Sequence, residues 1–484
     1  MIQDWQNKRI TVMGLGRFGG GVGVVRWLAQ AGARVLVTDK EPADKLASSL
    51  AEIADLGVTL RLGGHDERDF RDADLVVVNP AVPETSPFLH VARAAGVAVT
   101  TEINLFVERC PARCIGVTGS VGKSTVTAMI GKVLTEGIEG SRDQGIKVWV
   151  GGNIGKSLLD GLGQIAATDI VVLELSSFQL QRTPAVRWSP HVAVITGITP
   201  NHLDWHGSFD AYAAAKLNIV RFQEPGRDAV VIQDTPELCR IVAQLGADGA
   251  PLVRDALVRE SLLAPVNAGI HSRAVLPDAW RYRLDGDVPT AARGDEHLRW
   301  PRLQLHVPGR HNRENAAAAL TIAHWFGIPD EAALAALATF AALPHRLQLV
   351  AERDGVTYYD DSKSTTPEAA LTALGAIDGP LLVILGGYDK GSDLQPVAEA
   401  AARRAKFAAC IGKTGPGLAD TIRAAGGQAE VFPDLTAAVA ACRQRAAPGD
   451  AVLLSPACAS WGQFVDYRQR GELFTRLARG AAAT

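Results

Sequence analysis

Long hydrophobic runs are missing: no apolar stretch approaches the roughly 20 residues that a membrane-crossing helix needs, so helical spans are not expected. Excess charge is missing too, since 49 Lys and Arg against 52 Asp and Glu leave a formal net charge of −3. A general nucleic-acid binder usually presents a basic surface. That class is set aside, and anionic ligands would have to be held at local sites. Cysteine is scarce, six in 484 residues, at positions 110, 114, 239, 410, 442 and 458. These form no paired framework and have no histidines at zinc-like spacing, which removes disulfide scaffolds and zinc modules and points to reduced thiols in a cytoplasmic protein. Cys110 and Cys114, on either side of Pro111, read as buried small hydrophobes. The segment Met1 to Arg9 is polar, so no secretory leader is expected, and no repeat of solenoid period is present.

What is present is a globular composition, 47% hydrophobic and 21% charged, in a chain long enough for two to four domains. Its organising stretch is Cys114 to Thr125, a strand that runs into a glycine-rich turn opening a helix. Gly119 and Gly122 let backbone N–H groups turn toward an anion, Lys123 supplies a point charge, and Ser124 or Thr125 offers a hydroxyl to Mg²⁺. The spacing is G-x-x-G-K-S, shorter than a full P-loop because Val117 stands at the first glycine position. The helical pattern Val126, Met129, Ile130, Val133 and Leu134 favours nucleotide binding over an ordinary strand-to-helix turn.

Upstream, a strand from Arg9 to Met13, the turn Gly14-Leu15-Gly16-Arg17-Phe18-Gly19 and a second strand ending at Asp39 make a Rossmann-like half. It suits a dinucleotide or a UDP-sugar equally. Asn79 follows a further strand, Leu75 to Val78, and the first domain is expected to close near Phe106. Downstream, Glu174 ends a strand at Asp169 to Leu173, where the crevice of an α/β sheet binds ligands, and is a candidate Mg²⁺ ligand. Gly151 to Gly155 reads as a polar turn that brings Asn153 near the cradle. His202 and His206 lie in a loop marked by Pro200 and Gly207, which argues against a zinc pair. Lys216, on a helix from Ser208 to Val220, is by default a surface lysine. His311, Asn312 and Asn315 gather at a helix N-terminus, a natural anion site. Residues 235 to 300 carry no legible chemistry. After Leu343-Pro344-His345-Arg346, strands at Val356, Leu381, Phe407 and Ala451 end in polar clusters that collect on one sheet edge: Asp361 to Thr365, Gly386 to Lys390, and Ser455 to Ser460.

Taken together, the cradle, Glu174-Leu-Ser-Ser-Phe-Gln-Leu, Asn201-His-Leu-Asp, Gly309-Arg-His-Asn-Arg-Glu-Asn, Pro344-His-Arg, Asp360-Asp-Ser-Lys and Leu454-Ser-Pro-Ala-Cys-Ala-Ser resemble the Mur ligases over nearly the whole chain. The resemblance implies an α/β protein of three domains: a Rossmann-like UDP-substrate domain (1–106), a P-loop-type central ATPase domain (107–343) and a Rossmann-like amino-acid domain (344–484). It implies ATP-dependent amide formation through an acyl phosphate, with D-glutamate added to UDP-N-acetylmuramoyl-L-alanine in peptidoglycan precursor synthesis. ATP, two Mg²⁺ ions and a CO₂-derived carbamate on Lys216 are the implied cofactors.

Residue by residue, the same resemblance places Gly119, Ser120, Gly122, Lys123, Ser124, Thr125, Asn312, Asn315, Arg346, Asp361 and Lys363 around ATP. It gives Lys123, Glu174, His202 and Lys216 to catalysis, and Ser124, Thr125, Glu174, His202 and Lys216 to the metals. Gly16, Arg17, Phe18, Asp39, Asn79, Asn153 and Ser176 would meet the UDP substrate. Thr365, Lys390, Ser460 and Tyr467 would receive D-glutamate. The chain departs from the family pattern at Val121, Asn201 and Tyr467, where Asn, Asp and Phe are usual, and none of these removes a charge that the chemistry needs. Partners are expected to be small molecules, with no nucleic acid, no membrane and a monomeric chain. The competing readings are a Mur-type ligase for another amino acid, a nucleotide-gated binding protein, and a dehydrogenase built on the first domain.

Overall fold

Short apolar strands punctuated by glycine turns build three sheets in the computed structural model, which describes residues 5–16, 20–139, 145–155, 157–224, 226–247, 279–388 and 391–480. The first sheet holds β1 (Arg9–Met13), β2 (Arg34–Asp39), β3 (Thr59–Leu62), β4 (Leu75–Val78) and β5 (Ala98–Thr100), in the order β3-β2-β1-β4-β5. All four pairings are parallel, the arrangement of a dinucleotide-type half. The chain leaves β1 through Gly14 (φ +91°) and Gly16 (φ +77°), then enters the helix Val22–Gln30.

The second sheet contains β6 (Arg113–Thr118), β7 (Val148–Gly152), β8 (Ile170–Glu174), β9 (Val192–Ile195), β10 (Ala229–Gln233), β11 (Trp280–Asp285), β12 (Val288–Arg293) and β13 (Glu296–Arg299). Its order is β13-β12-β11-β10-β9-β6-β8-β7. Strands β6 to β11 pair in parallel, and β12 and β13 form an antiparallel hairpin. Because β8 flanks β6 on one side and β9 on the other, Glu174 and Thr196 arrive on the two sides of the turn that follows β6. The helix Lys123–Glu139 backs that turn, with Val126, Met129, Ile130, Val133 and Leu134 wholly buried at the expected spacing. One hydrophobic cluster joins the first two sheets, running from Ile10 and Leu28 through Leu105 to Leu159 and Leu173.

The third sheet contains β14 (Gln348–Arg353), β15 (Val356–Asp360), β16 (Leu381–Gly386), β17 (Phe407–Ile411), β18 (Ala429–Val431) and β19 (Ala451–Leu454), in the order β14-β15-β19-β16-β17-β18. Only β14 runs antiparallel to its neighbour. Alternate residues of β16 feed two separate clusters: Leu381, Val383 and Leu385 enter one, Leu382 and Ile384 the other. Burial on both faces is why this strand is a continuous apolar run.

Contacts divide the chain into two compact units. One comprises Met1–Arg283, Thr290–Arg299 and Ala318–Ala332; the other comprises Leu284–Pro289, Trp300–Ala317 and Ala333–Thr484. Among the described residues no helix is long and apolar enough to cross a membrane.

Two local expectations are corrected. Gly151 and Gly152, read as part of a polar turn, close the edge strand β7, where Gly151 pairs with Leu173 and Gly152 with Glu174. The stretch from 279 to 300, silent in the sequence, forms β11 to β13; residues 248–278 lie outside the described residues.

Candidate active site

The cradle is held open by contacts that only glycine permits. At Gly119 (φ +149°) a Cβ would fall 2.1 Å from Thr196 Oγ1, and Gly122 also takes a positive φ of +86°. The Thr196 hydroxyl donates to Val121 O at 2.5 Å, and Ser120 Oγ meets Thr199 O at 2.8 Å and Tyr212 OH at 3.0 Å. The next strand end therefore braces the turn. Lys123 Nζ donates to Gly119 O at 2.8 Å and to Ser120 O at 3.0 Å. Ser124 is buried and Thr125 half-buried at the start of the helix.

Lys216 is not the surface lysine expected by default. It is 1% exposed, and Nζ donates to the same Gly119 carbonyl at 2.8 Å while lying 4.7 Å from the Tyr212 ring centre. The reason is local: Ser208 caps the helix Phe209–Leu217, and the face bearing Tyr212, Ala213, Ala215 and Lys216 packs inward. Burial, then the charge of Lys123, pushes the Lys216 ammonium well below its ordinary range.

Glu174 ends β8 on the opposite flank and is 2% exposed. Its Oε1 accepts from Asn153 Nδ2 at 3.0 Å and its backbone O from Asn153 N at 2.8 Å. The resemblance gave Asn153 to the substrate, and its amide also holds Glu174. Gly152 permits this approach, because a Cβ there would lie 2.3 Å from Glu174 O. Glu174 Oε2 is buried with no hydrogen-bond partner among the described residues. A buried carboxylate oxygen left this way fits a hard cation, and the oxygen donors of Ser124 and Thr125 suit Mg²⁺.

His202 adopts a left-handed backbone (φ +53°), with its N–H on Asn201 Oδ1 at 2.9 Å. Its ring stands edge-on to Phe178 at 5.0 Å, and His206 contacts the same ring at 5.5 Å while Nε2 meets Ser177 Oγ at 3.0 Å. Burial and the Lys216 charge lower the His202 pKa, which favours the neutral imidazole that can ligate a metal. Ser176 caps the short helix Ser177–Leu180 in a reciprocal box with Gln179.

In the first sheet, the ends of β1, β2 and β4 come together. Asp39 Oδ2 accepts from Gly16 N at 3.1 Å and Oδ1 from Glu41 N at 3.0 Å, so the carboxylate fixes the glycine turn. Asn79 Nδ2 reaches Gly14 O at 3.4 Å. Arg17 and Phe18 lie outside the described residues.

The second unit gathers the remaining candidates. Asn312 Nδ2 donates to Pro308 O at 2.7 Å, and Asn315 Nδ2 to Asn312 Oδ1 at 3.3 Å, both at the start of the helix Arg310–Trp325. Burial pushes His311 down to about 4. Arg346 follows His345 in the turn before β14, and His345 Nδ1 meets Asp360 Oδ2 at 2.7 Å. Asp361 is buried, with Oδ1 accepting from Leu347 N at 3.1 Å and Oδ2 from Ser364 and Ser455 at 2.5 and 2.8 Å. Burial outweighs these donors and raises it to about 7. Lys363 Nζ lies 5.5 Å from the Tyr467 ring centre. Thr365 lines a small open cleft with Tyr388, Thr414 and Cys458, and Ser460 follows the lining residue Ala459. Lys390 lies outside the described residues.

Sequence reading missed Arg470. This side chain is 1% exposed; Nε donates to Ser362 Oγ at 2.9 Å, Nη2 to Ser362 O at 2.8 Å and Nη1 to Cys458 O at 3.1 Å. It thereby ties the turn after β15 to the turn after β19, the two polar clusters around Thr365 and Ser460. The available signal was its position four residues before the buried Phe474 on the helix Tyr467–Ala478. Arg470→Ala is expected to lower stability by about 3 kcal/mol, because two buried carbonyls lose their donor. A urea unfolding midpoint measures it.

Three family models match in series: "Mur ligase MurD-like, N-terminal domain" over residues 8–101, "Mur ligase middle domain" over 117–323 and "Mur ligase, glutamate ligase domain" over 345–458. A UDP-N-acetylmuramoylalanine–D-glutamate ligase of Roseiflexus sp. (strain RS-1) is 41% identical over 474 residues, 97% of this chain and 98% of that protein. Among solved structures, the UDP-N-acetylmuramate–alanine ligase MurC of Thermotoga maritima superposes with a TM-score of 0.57 at 20% identity, covering 96% of this chain and 98% of that one. The MurF ligase of Thermotoga maritima in complex with ADP gives 0.51 at 16% identity, over 86% and 97%. The three family models in order and a relative of this identity over nearly the full length show that the chain belongs to the Mur ligases, within the UDP-N-acetylmuramoylalanine–D-glutamate ligase family.

Proposed function

We propose that the protein is an ADP-forming acid–amino-acid ligase that joins D-glutamate to UDP-N-acetylmuramoyl-L-alanine in the cytoplasm, as a monomer. The observation that carries this reading is the convergence of Lys123 and Lys216 on one carbonyl oxygen, that of Gly119, beside a buried carboxylate with a free oxygen at Glu174. Two ammonium groups on one acceptor repel each other. That repulsion, with burial, favours the neutral Lys216 amine, and an anion or a charge-bearing modification in the site would relieve it.

Joining a carboxylate to an amine in water is uphill, and ATP supplies the drive. The substrate carboxylate attacks the γ-phosphorus, the bond to ADP breaks, and the amine of D-glutamate then displaces phosphate from the acyl carbon. Lys123 and the backbone N–H groups of the cradle hold the transferring phosphoryl oxygens. Mg²⁺, held by Ser124, Thr125, Glu174, His202 and a carbamylated Lys216, would supply charge neutralisation between the two approaching anions. Asn153 fixes the Glu174 carboxylate for that task. The division of labour follows the segments 1–106 for the UDP substrate, 107–343 for ATP and metals, and 344–484 for the amino acid with Asn312, Asn315, Arg346, Asp361 and Lys363 about the nucleotide.

Thr365, Lys390, Ser460 and Tyr467 offer one cation and three hydroxyls to the two carboxylates of D-glutamate. An ion pair of lysine with carboxylate is charge-assisted. Lys390→Ala is therefore expected to raise the KM for D-glutamate by roughly 10- to 100-fold, while the KM for ATP changes less than about threefold. Equal changes in both constants would place Lys390 elsewhere.

A phosphate-release assay tests the function itself. Release that requires both the UDP-muramoyl substrate and an amino acid supports the ligase. ATP binding without turnover would instead support a nucleotide-gated binding protein, and NAD binding to the first sheet would support the dehydrogenase.

A further inference from the structure

Cys110 and Cys114 were expected to be buried small hydrophobes, and the structure departs from that for one of them. Cys114 is 2% exposed in β6, but Cys110 is only half-buried, in the bend between the helix Glu102–Val107 and β6. Their sulfurs lie 3.9 Å apart, and both approach Ala112 O, Cys114 at 3.7 Å and Cys110 at 4.0 Å. We propose that Cys110 and Cys114 form a reversible dithiol–disulfide pair, oxidised by peroxides, in the connection between the first and second sheets.

The geometry favours closure by movement of one partner. A disulfide needs the sulfurs at about 2.05 Å, so they must approach by roughly 2 Å. Cys114 is fixed on both sides, by its register with Val171 and by its N–H on His191 Nδ1 at 3.1 Å. Cys110 belongs to no strand, and its N–H donates to Phe106 O at 2.9 Å in the turn that ends the preceding helix. The movement therefore falls on the connector and leaves β6 and the cradle in register.

The chemistry follows the same asymmetry. The hydrogen bond with Cys114 lowers the Cys110 thiol from its ordinary value, and the same contact with burial holds Cys114 well above it. Thiolate thus appears first at the more exposed sulfur, where a peroxide can reach it. Cys110 sulfur attacks the peroxide and its O–O bond breaks; water leaves and a sulfenic acid remains. Cys114 sulfur then attacks, losing its proton, and the S–O bond breaks to release a second water as S–S forms. Two electrons pass from the thiols to the peroxide. The other four cysteines are buried, and burial pushes Cys410 and Cys442 up to about 12, which leaves them poor competitors.

Trypsin cuts after Arg109 and Arg113, so the bond would link two peptides, Cys110–Arg113 and Cys114–Lys123. The full chain is treated with hydrogen peroxide, denatured, alkylated with N-ethylmaleimide, digested and weighed. Alkylated thiols are expected to fall from six to four, two being lost per bond, with the linked peptide pair present and both changes reversed by dithiothreitol. Cys110→Ser, altered at a half-buried position, should keep its five remaining thiols through the same treatment. Six surviving thiols, sulfinic acid at Cys110 without the linked pair, or equal thiol loss in Cys110→Ser would overturn the proposal.

Discussion

Lys123→Ala is expected to leave the fold intact and to reduce amide formation by at least about 10³-fold, the scale on which phosphoryl-transfer enzymes lose rate when a charge on the transferring group is removed. The fold should survive because Lys123 opens the helix Lys123–Glu139 without belonging to its buried face, and Gly119 O keeps a donor in Lys216. Circular dichroism and a urea midpoint within about 1 kcal/mol of the parent should accompany the lost turnover. Near-normal turnover would contradict the assignment of the cradle. The Lys123 and Lys216 ammonium groups share an acceptor, so removing one also relieves repulsion on the other. The Lys216 pKa should rise in the variant.

The second large effect concerns Lys216. A carbamate forms when the neutral amine attacks CO₂, with a new N–C bond and loss of one N–H proton. Burial at 1% exposure and the neighbouring Lys123 charge both favour the neutral amine. The product is an anionic oxygen donor, which hard Mg²⁺ prefers. Lys216→Ala is therefore expected to lose roughly 10²- to 10³-fold in turnover, and added acetate to restore part of it by placing a carboxylate in the vacated space. Lys216→Met, similar in volume but without the amine, should be as inactive and less responsive to acetate. Full activity of Lys216→Ala, or an acetate effect equal in all three proteins, would return Lys216 to a packing role.

Much of this architecture could be read from residues whose local chemistry has few alternatives. Gly119, Gly122 and Lys123 define a turn that backbone sterics permit almost nowhere else, and the buried periodicity from Val126 to Leu134 carries the helix behind it. What escaped the sequence depended on partners distant along the chain. Lys216 looked solvated because an alanine-rich helix with polar ends has no obvious inner face, yet its acceptor is Gly119, 97 positions earlier. The contact of Asn153 with Glu174, 21 positions away, was equally hidden. The same holds for Arg470, whose acceptors include Ser362, 108 positions back. Edge strands were missed for a different reason. β3 alternates over only four residues, Thr59 to Leu62, with Leu60 exposed, and the apolar run Val148-Trp149-Val150 of β7 is cut short by two glycines, so both signals are too brief to mark a strand.

The measurement that bears most directly on the function is phosphate release from ATP in the presence of UDP-N-acetylmuramoyl-L-alanine across a panel of amino acids. The ligase account predicts release with D-glutamate, equimolar with the amide product and nearly none with L-glutamate, D-aspartate or diaminopimelate. Release that ignores the amino acid, or that responds best to one other than D-glutamate, would contradict it.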